Sequence, residues 1–151
     1  MDKNKAQKFV LSEMLKNDKV AFRSPVEDNS IYISPNRVVG FVFSRESLMI
    51  DLMKIEAKYD VIDFDSIYDD TNQLKLTKRI IDTDGSSGGY LNVLENNAGK
   101  SVYISTKWLQ YFGGCAEFYQ GTVNGPVVIV EADEIKGTIM PCEYYEQAQI
   151  D

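Results

Sequence analysis

The order of elements between Lys100 and Glu143 constrains this chain more than any other feature. The segment reads KSVYISTKWLQYF, then a short apolar stretch, then GPVVIV, a turn, and EIKGTIMPCE. Val102–Ile104 is rich in β-formers and stops at the polar pair Ser105-Thr106. Trp108, Leu109, Tyr111 and Phe112 follow at helical spacing, and Gly113-Gly114 ends that helix. Three strands are predicted next, over 118–123, 127–131 and 135–140, and Pro141 stops the last of them. A short helix set between a strand and a three-strand meander repeats the helix-then-strands order of the front of the chain. It points to an α+β fold.

The front of the chain has the same grammar. Residues 4–16 form the clearest predicted helix. Ala6, Phe9, Val10 and Met14 recur at i, i+3, i+4 and i+8, with Leu11 and Leu15 widening the apolar stripe. Strands are predicted near 20–22, 30–33 and 38–43. The run 47–55 reads as a strand at its start, and 59–64 as another. Residues 74–82 and 90–94 form a hairpin pair around the Gly/Ser-rich turn 84–89. The expected architecture is therefore two helices, 4–16 and 106–112, side by side on antiparallel sheet. The two α-βββ halves make one domain over 1–151, with a polar tail over 143–151.

The sequence of 151 residues carries 16 basic and 23 acidic side chains, a formal net charge of −7. That balance excludes a generally basic DNA-coating protein, and places any nucleic-acid contact in local clusters of lysine. Residues 1–24 hold Lys3, Lys5, Lys8, Lys16, Lys19 and Arg23 against Asp2, Glu13 and Asp18. On helix 4–16, Lys5, Lys8, Ser12 and Lys16 share one narrow strip. No apolar run approaches the roughly 18 residues of a membrane span, and the first residues lack a secretory leader's apolar core. A cytoplasmic protein without membrane contact is expected. Cys115 and Cys142 are too few for a disulfide framework and are expected as buried thiols.

The order of elements and the residues Val102–Ile104, Trp108-Leu109-Tyr111-Phe112, Gly125–Val130 and Gly137–Pro141 resemble the C-terminal repeat of DNA polymerase sliding clamps. In the N-terminal half, Val38–Val42 is similar to the family strand that follows a polar turn. The resemblance implies a DNA-clamp-like, non-catalytic accessory of DNA replication with no cofactor. It implies that Lys5, Lys8, Ser12 and Lys16, with Lys107 on the second helix, face double-stranded DNA and contact phosphates without reading sequence. It implies further that Met140, Pro141, Cys142 and Tyr144 help form a groove for short peptides of polymerases or other replication proteins. Clamp rings are built from several such domains, so a homo-oligomer is a possible assembly. In this chain Cys142-Glu143-Tyr144 follow the Met-Pro pair, and Glu143 makes a basic peptide the expected guest.

Two other readings compete. One is a clamp-derived adaptor or inhibitor that binds protein and leaves DNA alone. The other is a small metal-dependent enzyme using the carboxylates Asp63, Asp65, Asp69 and Asp70. An EF-hand loop would want glycine where Tyr68 stands, and a solvated acidic loop is expected instead. Gly99-Lys100-Ser101 lacks the first glycine of a P-loop and leads into a strand. The chain has no histidine, the commonest general base. No catalytic residue is assigned. Trp108 is expected to anchor its helix to the core.

Overall fold

The structure, a computed structural model, describes residues 1–16, 22–27, 29–51, 55–57, 62–84 and 89–144. It is α+β. Helix α1 (Lys3–Lys16) begins at Asp2, whose carboxylate accepts from the Lys5 amide at 3.1 Å and whose carbonyl accepts from the Ala6 amide. Lys16 in the last turn complements the helix dipole. Ala6 and Val10 are fully buried, and Phe9 and Met14 pack against the same core. Leu11 and Leu15 do not widen that stripe: they are 41% and 88% exposed. At 100° per residue they project to the opposite side of the helix from Ala6 and Val10, among the lysines.

The strands are β1 (Phe22–Glu27), β2 (Ser30–Ser34), β3 (Val39–Ser44), β4 (Glu56–Ala57), β5 (Gln73–Asp82), β6 (Tyr90–Glu95), β7 (Ser101–Ser105), β8 (Glu117–Gln120), β9 (Val127–Glu131) and β10 (Glu134–Ile139). They form one mixed sheet in the order β4-β1-β2-β3-β10-β9-β8-β5-β6-β7. All pairings are antiparallel except β4 with β1. The meander β1-β2-β3 and the meander β8-β9-β10 meet through β3 and β10, with Phe41 opposite Gly137 and Gly40 opposite Thr138. The predicted hairpin is β5–β6, bulged so that Thr77, Lys78 and Arg79 stand where one partner residue, Val93, is available. The Thr77 hydroxyl donates to the Val93 carbonyl at 2.7 Å and holds the bulge.

Strand β9 is buried from Val127 to Val130 because the sheet is covered on both faces. Val127 and Ile129 join the core under α1, with Ile31, Ile33, Phe41 and Phe43. Val128 and Val130 face the other way, against Phe64, Tyr119 and the half-buried Ile67 and Tyr68. A two-sided strand reads as a continuous apolar run, which is how GPVVIV reads.

Several expectations are corrected. Helix α3 is only Thr106–Leu109, continued by turns in which the Tyr111 and Phe112 amides reach the Trp108 and Leu109 carbonyls. Arg45–Ser47 is a 3-10 turn and 48–51 is irregular, because Gln7 holds this loop: its amide donates to the Ser47 carbonyl and accepts from the Met49 amide. Phe64 opens a one-turn helix, α2 (Phe64–Ile67), where a strand end was expected. The expected strand residues 20 and 21, with 52–54 and 58–61, lie outside the described residues, as does the tail from 145. Cys115 is exposed, and Cys142 half-buried.

The β3–β10 seam gives a direct stability test. A methyl group on Gly137 would lie 2.3 Å from the Gly40 carbonyl and 2.8 Å from the Phe112 ring, whereas one on Gly114 meets nothing within 4 Å. Gly137→Ala should therefore destabilise by about 1–3 kcal/mol or more, and Gly114→Ala by no more than about 0.5 kcal/mol. Urea unfolding midpoints check this; equal midpoints would contradict the seam.

Candidate nucleic-acid and peptide interfaces

Helix α1 and helix α3 lie side by side on one face of the sheet. The Asp2 amide donates to the Tyr111 carbonyl at 2.9 Å, and Phe9 packs edge-on to Trp108 at 5.5 Å and against Tyr111 at 5.3 Å. Trp108 is a helix anchor, as expected. The outward side of this pair holds the candidate DNA-binding residues. Lys5, Lys8 and Lys16 are exposed and Ser12 is half-buried. The Lys5 ammonium reaches the Gln110 carbonyl at 3.5 Å and sits over the Tyr111 ring at 5.3 Å. Lys107 is exposed and lies over Trp108 at 4.6 Å. Lys5 therefore bridges from α1 to the end of α3, and the aromatic rings hold the lysine stems near the surface.

The four candidate peptide-binding residues do not share one surface. Met140 lines a cavity of about 270 Å³, together with Phe22, Ser24, Tyr32, Pro126 and Thr138. Beyond Pro141 the chain turns to the far end of the sheet. Cys142 bridges to Tyr103 on β7, its amide donating to the Tyr103 carbonyl at 2.7 Å, and the Tyr144 ring packs edge-on to Tyr103 at 5.2 Å. The central strand β10 thus leads to the end strand β7, and the sheet curls. Burial pushes the Cys142 thiol up.

The cavity is on the face opposite α1. Its floor carries the Tyr32 and Thr138 hydroxyls, 2.7 Å apart. Burial raises the Tyr32 phenol, and hydrogen bonds with Thr138 and Ser34 oppose that rise. Tyr32 lies flat across β3 because residue 40 is glycine: a methyl group there would fall 2.1 Å from the phenol oxygen. Two arginines complete the lining. Arg23 donates from Nε to the Ile55 carbonyl at 3.0 Å, and Arg37 stands over the Phe22 ring at 4.5 Å. Arg37 has φ +64°, and its amide donates to the Ser34 hydroxyl. Neither arginine was singled out in the sequence, because no periodicity links a strand residue to a turn residue fourteen positions on.

The acidic stretch is not a bare solvated loop. Phe64 is 5% exposed against the sheet, and Tyr68 packs edge-on to Tyr119 at 4.8 Å. Asp63 caps α2 by accepting from the Ser66 amide. Asp69 caps the following 3-10 turn by accepting from the Thr71 amide and hydroxyl, which hold its carboxyl below the usual range. These carboxylates serve the backbone, and among the described residues no group of three or more His, Cys, Asp or Glu could hold a metal ion. Gly99-Lys100-Ser101 lies at the β6–β7 hairpin turn, closed by the Asn96 amide on the Lys100 carbonyl. No helix of the described residues is long and apolar enough to cross a membrane. The chain matches no family model, and no curated protein or solved structure matches it.

Tyr119 supplies a pH test of the covered face. Burial first, and then its 2.6 Å hydrogen bond to Glu117, push its phenol far above the ordinary range. In the unfolded chain tyrosine loses its proton near pH ~10, while folded Tyr119 keeps it. Its contribution is whole below that pH and falls as pH rises beyond it. Melting temperature should decline from about pH 9 to 11, less steeply in Glu117→Gln. Identical slopes in the two proteins would contradict the Glu117 contribution.

Proposed function

We propose that the chain is a clamp-like, non-catalytic accessory protein of DNA replication, which meets DNA on its helical face and partner proteins on the opposite face. The observation that carries the reading is the strand order β1-β2-β3-β10-β9-β8. Each half of that order is a three-strand meander introduced by a helix, and both helices pack on one face of the sheet. A sliding clamp domain is built from such a pair, its helices toward the DNA. Supporting it, Lys5, Lys8, Lys16 and Lys107 are all exposed. The cavity beside Met140 lies on the other face and is open to a short peptide.

DNA binding on this reading is weak, independent of sequence and sensitive to salt, since few lysines meet phosphates. With four lysines the slope of log affinity against log salt is about −3 to −4. Lys5→Glu, Lys8→Glu and Lys16→Glu together should abolish binding to a short duplex in fluorescence anisotropy while leaving the unfolding midpoint within about 0.5 kcal/mol, as exposed sites allow. Undiminished binding by the triple variant would leave the strip an ordinary solvated face.

A second reading, a protein-binding adaptor without DNA contact, is favoured by one observation. Leu11 and Leu15 stand exposed among the lysines, and Met49, on the loop that Gln7 holds to α1, is 86% exposed. Apolar groups so placed suit contact with protein, including a second copy. A solution mass separates the readings, because encircling DNA needs several copies and an adaptor needs one or two.

A further inference from the structure

The charge around the Met140 cavity opposes that of the whole chain. The protein carries a net −7, yet among the described residues the cavity lining holds two guanidinium groups and no carboxylate. Neither Arg23 nor Arg37 forms an ion pair with any described residue. Thr138 and Ser24 are buried while Arg37 is exposed, so hydroxyls form the floor and a cation stands at the mouth. Between them the walls are apolar, from Phe22, Pro126 and Met140. Such a cavity accepts one large apolar side chain, and its mouth pairs with an anion attached beside that side chain. Arg23 is fixed by its bond to Ile55, and Arg37 by the Phe22 ring. Little ordering is left to be lost on binding.

The geometry points to an acidic peptide segment of a partner protein as the occupant: an aromatic or leucine side chain in the cavity, with Asp or Glu one or two residues away on the arginines. This rests on the reading of the cavity as a partner groove, and it reverses the preference that Glu143 suggests. Glu143 does not line the cavity, because the chain after Pro141 is drawn to β7 by the Cys142–Tyr103 bridge. A peptide fits better than a lone small anion because the exposed cation stands at the mouth and the hydroxyls of the floor are already bonded, Tyr32 and Thr138 to each other, Ser24 to the Pro25 carbonyl and Ser34 to the Val39 carbonyl. The anion therefore sits outside the cavity that the apolar group fills, as a neighbouring residue of a chain does.

The test uses labelled peptides of one length and one apolar core, flanked by Asp and Glu, by Asn and Gln, or by Lys. Fluorescence anisotropy should find the acidic peptide about tenfold tighter than its amide counterpart, the size of a charge-assisted hydrogen bond. That gap should close in Arg37→Gln, whose exposed side chain is dispensable for folding, and in Arg23→Gln with Arg37→Gln. Met140→Ala should weaken all the peptides alike. Equal affinity of acidic and amide peptides would overturn the acidic preference while leaving the groove. No binding of any peptide at millimolar concentration would overturn both. Displacement of the acidic peptide by an equal concentration of a free aromatic carboxylate would make the occupant a small anion and overturn the proposal.

Discussion

The fold depends on the close approach of β3 and β10, and that approach depends on two glycines pointing to opposite faces. Gly137 shares a side with Phe41, and the Phe112 ring fills the space a side chain would occupy. Gly40 shares a side with Thr138, and the Tyr32 ring fills that space. Each half of the chain thus lays an aromatic ring over its own glycine and reaches across the seam to a residue of the other half. Phe112 follows α3 in the second half and stacks on Phe41 of the first at 5.8 Å. Tyr32 belongs to the first half and bonds to Thr138 of the second. Without the seam the sheet would divide into β4-β1-β2-β3 and β10-β9-β8-β5-β6-β7, and the core that Phe41, Phe43, Ile129 and Ile139 share across it would be opened.

The same seam connects packing to the candidate groove. Because Tyr32 lies flat over Gly40, its hydroxyl reaches Thr138 and forms the cavity floor. The cavity is therefore a by-product of how the halves join. The helical face differs. There the functional candidates are long lysine side chains on a surface, with aromatic rings beneath Lys5 and Lys107 and the Gln110 carbonyl beside Lys5. A surface of that kind suits contact without sequence preference, where position along the partner is unimportant.

Much of the fold was legible in the sequence, and the reasons differ by element. Helix α1 declares itself by period, and the β9 run by continuous apolar residues. The β5–β6 hairpin declares itself by its turn. The join of β3 to β10 was not legible, since Gly40 and Gly137 are nearly a hundred residues apart and glycine carries no pattern. The segment 62–72 was misread because its aspartates dominate its composition, while its structure follows Phe64, Ile67 and Tyr68. Leu11 and Leu15 were misread because an apolar residue next to a stripe extends it on paper whether or not the core reaches that far. Among the candidate site residues, the lysines are exposed as their spacing required. The Met140–Tyr144 group was divided by a single backbone bridge that no composition could reveal.

The misread acidic segment also bears on how the groove side of the sheet treats charge. Ile62 borders two depressions on that side. One is the arginine-bearing cavity; the other is a wider cleft lined by Glu27, Asp63, Asp65, Asp133 and Glu134, against Lys3 and Lys136. Lys136 is committed to Glu134 at 2.7 Å, which lowers the Glu134 carboxyl, so the cleft keeps an acidic excess. The caps at Asp63 and Asp69 have the same consequence: their charges hold turns in place and remain at the surface. An anionic segment approaching this side is repelled by the cleft and attracted by the cavity. A cationic one meets the reverse. Opposed fields separated by one side chain discriminate before contact, and they do so most at low salt. Asp63 and Asp65, two of the aspartates that look like a metal site in the sequence, thus contribute to the acidic cleft beside the candidate groove.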